Sequence, residues 1–172
     1  MTRKYKILNL KFKIKRGFTL VEILLYMALL SIFLITLVDI LVSILDVQLE
    51  SQATSAVDID SRFISSRLNY DVTRADAITA PANLGDVSPT LVMTIGGATY
   101  TYSLSSGNLT LSDGTTTGAL NSSQTRIVNV SFQKLGTSGG KETVRTVLTI
   151  ESETSRSSGK ETRTVDTVFG TR

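Results

Sequence analysis

The chain changes its hydrophobic rhythm twice. Residues 18–38, FTLVEILLYMALLSIFLITLV, are apolar almost without interruption, and Glu22 is their one charged residue. At 1.5 Å per residue such a helix spans ~31 Å, close to the ~30 Å hydrocarbon core of a bilayer. Residues 39–78 keep helical spacing with rising polarity: Ala53, Val57, Ile64, Leu68, Ala75 and Ile78 fall three, four or seven apart, with Phe63 beside them. Neither Gly nor Pro occurs between Gly17 and Pro81. The pattern predicts one helix over residues 18–77, apolar all round in its first half and amphipathic in its second. Pro81 is the expected stop, because it disfavours helix at Ala80 and has no N–H to donate.

Beyond residue 90 the period becomes two. Leu91, Met93 and Ile95 alternate, as do Ala98, Tyr100, Tyr102 and Leu104, with Gly96-Gly97 between them as a hairpin signal. Ser105-Ser106-Gly107 turns the chain into Asn108–Ser112. Three further strands are expected over residues 125–135, 142–151 and 161–169. Arg126, Val128, Val130 and Phe132 are placed on one face of the first, and Val144, Thr146, Leu148 and Ile150 on one face of the second. The expected fold class is α+β: an antiparallel sheet of about six strands, with its apolar face covered by the amphipathic half of the helix. The chain so divides into a basic segment (1–17), a membrane-spanning half-helix (18–38), an amphipathic half-helix (39–78) and a β-rich head (79–172).

Charge is distributed unevenly. Residues 1–16 hold seven cations (Arg3, Lys4, Lys6, Lys11, Lys13, Lys15, Arg16) and no acid. From Phe18 onward 11 Lys and Arg face 15 Asp and Glu, a net −4, so the overall +3 is a poor pointer to nucleic acid. The cations before the apolar run put residues 1–17 in the cytoplasm and the head outside, by the positive-inside rule. The chain has no Cys, His or Trp, which excludes disulfides, thiolate metal sites, Cys nucleophiles and a Ser-His-Asp triad. No constellation for an enzyme is visible, and no cofactor or metal is expected. Asp58, Asp60, Asp71 and Asp76 lack metal-ligand spacing and are read as solvated helix faces. Asp113-Gly114 is a turn signal. Tyr100 and Tyr102 are read as packing on one sheet face. A conventional secretory signal fits poorly, because the apolar run exceeds the usual h-region.

The junction Lys15-Arg16-Gly17-Phe18-Thr19-Leu20-Val21-Glu22 carries the most information. It closely resembles the cleavage and methylation site of the type IV pilin family, which includes the pseudopilins of type II secretion and competence machines. The family pattern is a basic leader ending in Gly, then Phe, then Glu as the fifth mature residue, before ~20 apolar residues. The resemblance implies that a membrane prepilin peptidase cuts after Gly17, that Phe18 becomes an N-methylated terminus, and that Glu22 attracts the terminal ammonium of a neighbouring subunit. The physics of Glu22 agrees: a carboxylate near the end of a membrane helix persists with a partner or by snorkelling to the headgroups. Implied partners are other pilin subunits, the peptidase, the inner-membrane assembly platform and, before assembly, lipid. Nucleic acid enters only through a DNA-uptake fibre.

The resemblance implies a structural subunit, a minor pilin or pseudopilin by the look of its head, in an extracellular or periplasmic fibre. The alternative is a single-pass anchored binding protein that never assembles. Asp39 departs from the family, many of whose members carry a helix-loosening proline at that position. It is read first as marking the membrane exit, and second as a further contact between subunits, with Asp46 near the same face.

Overall fold

In a computed structural model of the chain, residues 17–137, 140–156 and 158–172 are described. The expected basic leader, apart from Gly17, lies outside them. Helix α1 runs Leu20–Arg74, 55 residues without a break. It starts where Thr19 caps it and ends earlier than Pro81 would require. The Asp76 N–H donates to the Thr94 carbonyl at 2.8 Å, which draws the chain into a strand before proline is reached.

Among the described residues nine strands follow, in two antiparallel sheets. The first has the order β1-β3-β4-β5-β6, from β1 (Ala77–Ala80), β3 (Leu91–Ile95), β4 (Ala98–Ser105), β5 (Asn108–Ser112) and β6 (Thr117–Ala119). The second has the order β2-β7-β8-β9, from β2 (Val87–Ser88), β7 (Thr125–Gly136), β8 (Glu142–Arg156) and β9 (Gly159–Gly170). All six expected strands are present. The three additional ones, β1, β2 and β6, are two to four residues long, too short to show a period. They also form three of the four sheet edges; the fourth, β9, is 12 residues long. The β3–β4 hairpin turns on Gly96 and Gly97, both at positive φ (58° and 83°), the geometry that a two-residue primed turn demands.

One core joins the second half of α1 to both sheets. Val57, Ile64, Leu68 and Val72 pack with Leu91, Met93 and Tyr102 of the first sheet and with Ile127, Phe132, Val144, Leu148 and Ile150 of the second. Fully burying each aliphatic side chain contributes about 1.5–3 kcal/mol, and the expected line from Ala53 to Ile78 is buried throughout.

Three expectations are corrected. Phe63 is 53% exposed and stands off the core. In β7 the face switches: Ile127 is buried and Val128 exposed, because the register slips between Ile127 and Asn129 and leaves Val128 as an extra residue. Thr125 and Ile127, rather than Arg126 and Val128, therefore share the inner face with Val130 and Phe132. The sheet is two sheets, since β5 pairs with β6 and not with β7, whose partners are β2 and β8.

Candidate functional site

The junction is built from the backbone outward. Thr19 Oγ1 accepts the Glu22 N–H at 3.3 Å, and the Thr19 carbonyl accepts the Ile23 N–H at 3.2 Å. Thr19-Leu20-Val21-Glu22 is therefore a Ser/Thr-x-x-Glu helix start, and Glu22 also sits favourably in the first turn against the helix dipole. Tyr26, one turn on, donates its hydroxyl to Glu22 Oε1 at 3.2 Å and meets the Phe18 ring edge-on at 6.1 Å. Phe18 is 69% exposed. Spacing alone could have named Tyr26, since i and i+4 share a helix face.

Gly17 and Phe18 precede the helix and belong to no regular element. A Cβ built on Gly17 would meet nothing within 4 Å, and its φ lies outside the left-handed region. Nothing in the fold of the described residues asks for glycine there. From Leu20 to Leu49 the large apolar side chains of α1 are exposed on every side, and this is the one described helix long and apolar enough to cross a membrane. Asp39 is exposed on it; its carbonyl accepts the Ser43 hydroxyl at 2.9 Å, and among the described residues its carboxylate has no partner.

The head holds charged groups that sequence patterning missed. Asp60 and Asp71, expected on solvated faces, are buried. Asp60 Oδ2 accepts the Ser122 N–H at 2.8 Å, the Ser122 hydroxyl at 2.7 Å and the Thr125 hydroxyl at 2.5 Å. Asp71 accepts Arg67 Nε at 2.8 Å and the hydroxyl of Tyr102. Burial, and then the adjoining Asp71 carboxylate, hold the Tyr102 phenol far above its ordinary range. Tyr102 is thus packing, as expected, with its polar end satisfied. Asp58 pairs with Arg62 at 3.0 Å and with Arg163 of β9. Asp76 accepts the Gly96 N–H at 2.7 Å and ties the helix exit to the β3–β4 turn.

A buried cation, Lys134, closes the loop after the helix. Lys134 Nζ pairs with Glu142 Oε1 at 2.6 Å and donates to the Ile78 carbonyl at 2.8 Å, while Glu142 Oε2 accepts the Ile78 N–H at 2.8 Å. Burial opposes ionisation of Glu142, but the Lys134 ammonium and the Ile78 N–H outweigh it and lower its pKa. Asp113 is a turn residue: the backbone N–H groups of Thr116 and Thr115, then their hydroxyls, hold its carboxylate well below the usual range. The described residues contain no group of three or more acids that could hold a metal. These head groups hold elements together.

No curated protein and no solved structure matches the chain. A family model for the prokaryotic N-terminal methylation motif matches residues 12–38, which contain Gly17, Phe18, Glu22 and the first half of the apolar helix. Over those residues the chain carries the N-terminal signature of type IV pilins and pseudopilins.

Proposed function

We propose that the chain is a structural subunit of a type IV pilus-like fibre or secretion pseudopilus, a minor pilin or pseudopilin by its head. It is cut after Gly17 by a prepilin peptidase, N-methylated at Phe18 and assembled through α1. The observation that carries this reading is the bare apolar surface of α1 from Leu20 to Leu49. Lipid covers such a surface before assembly, and the helices of neighbouring subunits cover it afterwards.

The junction supports the same reading. Among the described residues nothing packs against Gly17, so a requirement for glycine there would come from whatever reads the site. Phe18 and Gly17 are exposed. Among the described residues Glu22 has a neutral donor in Tyr26, which satisfies a lone pair, and no cation. Cutting after Gly17 creates an ammonium at Phe18 that supplies the missing charge, in the same chain or in a neighbour. A charged side chain at a membrane-helix centre costs about 2.5–3.5 kcal/mol by insertion scales, and less near the helix end. The leader stays cytoplasmic and the head is exported.

The test is the intact mass of the protein recovered from membranes of cells carrying a prepilin peptidase, with Gly17→Ala as control. A methylated terminus at Phe18 that disappears in the control is the expected result. A chain still beginning at Met1 beside a competent peptidase would sink the proposal and leave a membrane-anchored binding protein.

A further inference from the structure

Helix α1 carries two charge bands of opposite sign, one behind the other. The acidic band is Asp39, Asp46 and Glu50; the basic band is Arg62, Arg67 and Arg74. The bands occupy different faces. Asp46 and Glu50 continue, at spacings of four and three, the line of Ala53, Val57, Asp60, Ile64, Leu68, Asp71 and Ala75 that is buried beneath the sheets. Asp46 and Glu50 lie ahead of the covered stretch and are exposed. The basic band flanks an aromatic stripe that the sheets leave bare: Ile59, Phe63 and Tyr70 are 63%, 53% and 54% exposed. Tyr70 is gripped between two arginines, with the Arg74 guanidinium 4.8 Å and the Arg67 guanidinium 5.9 Å from its ring centre.

Among the described residues each band is only partly neutralised. Among the described residues Asp39 and Asp46 have no cationic partner, and Glu50 meets only Arg156, at 3.5 Å. Among the described residues Arg74 has no carboxylate partner; it donates to the Tyr70 hydroxyl at 2.6 Å. Arg62 and Arg67 already pair with Asp58 and Asp71, so Arg74 is the cation most in need of an anion.

We propose that the aromatic–arginine stripe of one copy docks on the acidic band of a second, parallel copy, displaced along the helix by 23 to 24 residues. That offset sets Arg62 against Asp39, Tyr70 against Asp46 and Arg74 against Glu50 at once. At 1.5 Å per residue it is an axial stagger of ~35 Å. The faces also fit. Asp46 and Glu50 lie on the sheet-bearing side of their own helix, ahead of the sheets. The stripe lies away from the sheets on the other copy. The two meet without either β head standing between them. Charge complementarity sets register here, while Ile59, Phe63 and Tyr70 supply the apolar contact. The proposal rests on the fibre reading above and adds the register between copies.

The chain has no cysteine, so introduced pairs report cleanly. Asp46→Cys with Tyr70→Cys is made in the full-length chain, in cells that cut and assemble it. Within one chain the two positions lie ~36 Å apart on a continuous helix, so a disulfide between them joins two copies. The expected result on oxidation is a ladder of multiples of the subunit mass. The off-register pair Asp46→Cys with Arg62→Cys should show none.

A second measurement covers loss of assembly by the cysteines themselves. Glu50→Arg and Arg74→Glu, the charges that face each other in this register, should each lower fibre yield about tenfold or more through like-charge contact, and the double reversal should recover most of it. Cross-linking that favours the off-register pair, a product carrying a different protein, or a double reversal no better than the singles overturns the stagger. If the chain is cut and fibre-borne but does not cross-link, the stagger falls and the fibre stands. An uncut chain that still cross-links in register keeps the stagger and removes the fibre.

Discussion

Tyr102 of β4 donates its hydroxyl to Asp71 of α1, and both side chains are almost wholly buried. A helix carboxylate thus reaches the middle of the first sheet, and a sheet phenol supplies part of its solvation. The Arg67 Nε–H at 2.8 Å supplies the rest from the helix itself.

Tyr102→Phe keeps the ring and deletes the donor. Asp71 then loses one of its two partners in a site without water access, at a cost of about 1–3 kcal/mol. Asp71→Ala should cost more, since it removes the buried acceptor that the Tyr102 hydroxyl and Arg67 share. Thermal unfolding of the full chain in detergent, followed by near-UV circular dichroism, checks both. Equal midpoints for Tyr102→Phe and the parent would show the bond to be dispensable.

Acid should loosen the connection after the helix. The folded-state pKa of Glu142 lies below its ordinary value, so its contribution is fully present above the unfolded value of about 4.3. It is lost as the pH falls through the lower folded value. Glu142→Gln should therefore be less stable than the parent at pH 7, with Lys134 left buried beside a neutral amide. It should also lose less stability on acidification. Asp113 and Asp166, both lowered too, remain in the variant and account for a residual loss. Parallel acid dependence of the two midpoints would refute the assignment.

Neighbouring residues on α1 should respond in opposite ways. Ile64 is wholly buried, and Ile64→Ala should cost about 2–5 kcal/mol through lost burial and the cavity left behind. Phe63 is exposed, and Phe63→Ala should change stability by no more than about 0.5 kcal/mol. If Phe63 takes part in the contact between copies, it will show in fibre yield with the melting point unchanged.

Long-period features were legible in the sequence and partner-dependent ones were not. The uninterrupted apolar run, the buried line from Ala53 to Ile78 and the Gly96-Gly97 hairpin each follow from spacing or from one residue's backbone freedom. So does the junction at Gly17, Phe18 and Glu22, because its order of residue types is itself the signal. Asp60 and Asp71 could not be read that way. On a helix a carboxylate looks solvated until its donors are known, and here they come from Ser122, Thr125 and Tyr102, far along the chain. The bulge at Val128 is hidden for a related reason. Arg126, Val128, Val130 and Phe132 keep a perfect alternation, and only pairing with β8 forces the extra residue out. The short edge strands are set by their neighbours and not by their own composition.

Because no glycine or proline interrupts residues 18–80, the hydrogen-bond ladder of α1 has no missing rung. A rod of that kind shares an axial pull evenly among its turns, and none of them is predisposed to open first. Its compliant points are the two ends. At one, a single threonine hydroxyl holds the first turn. At the other, Asp76 and Lys134 fasten the exit to the sheets. Under load the chain would give at its cap or at that fastening before the rod lengthened.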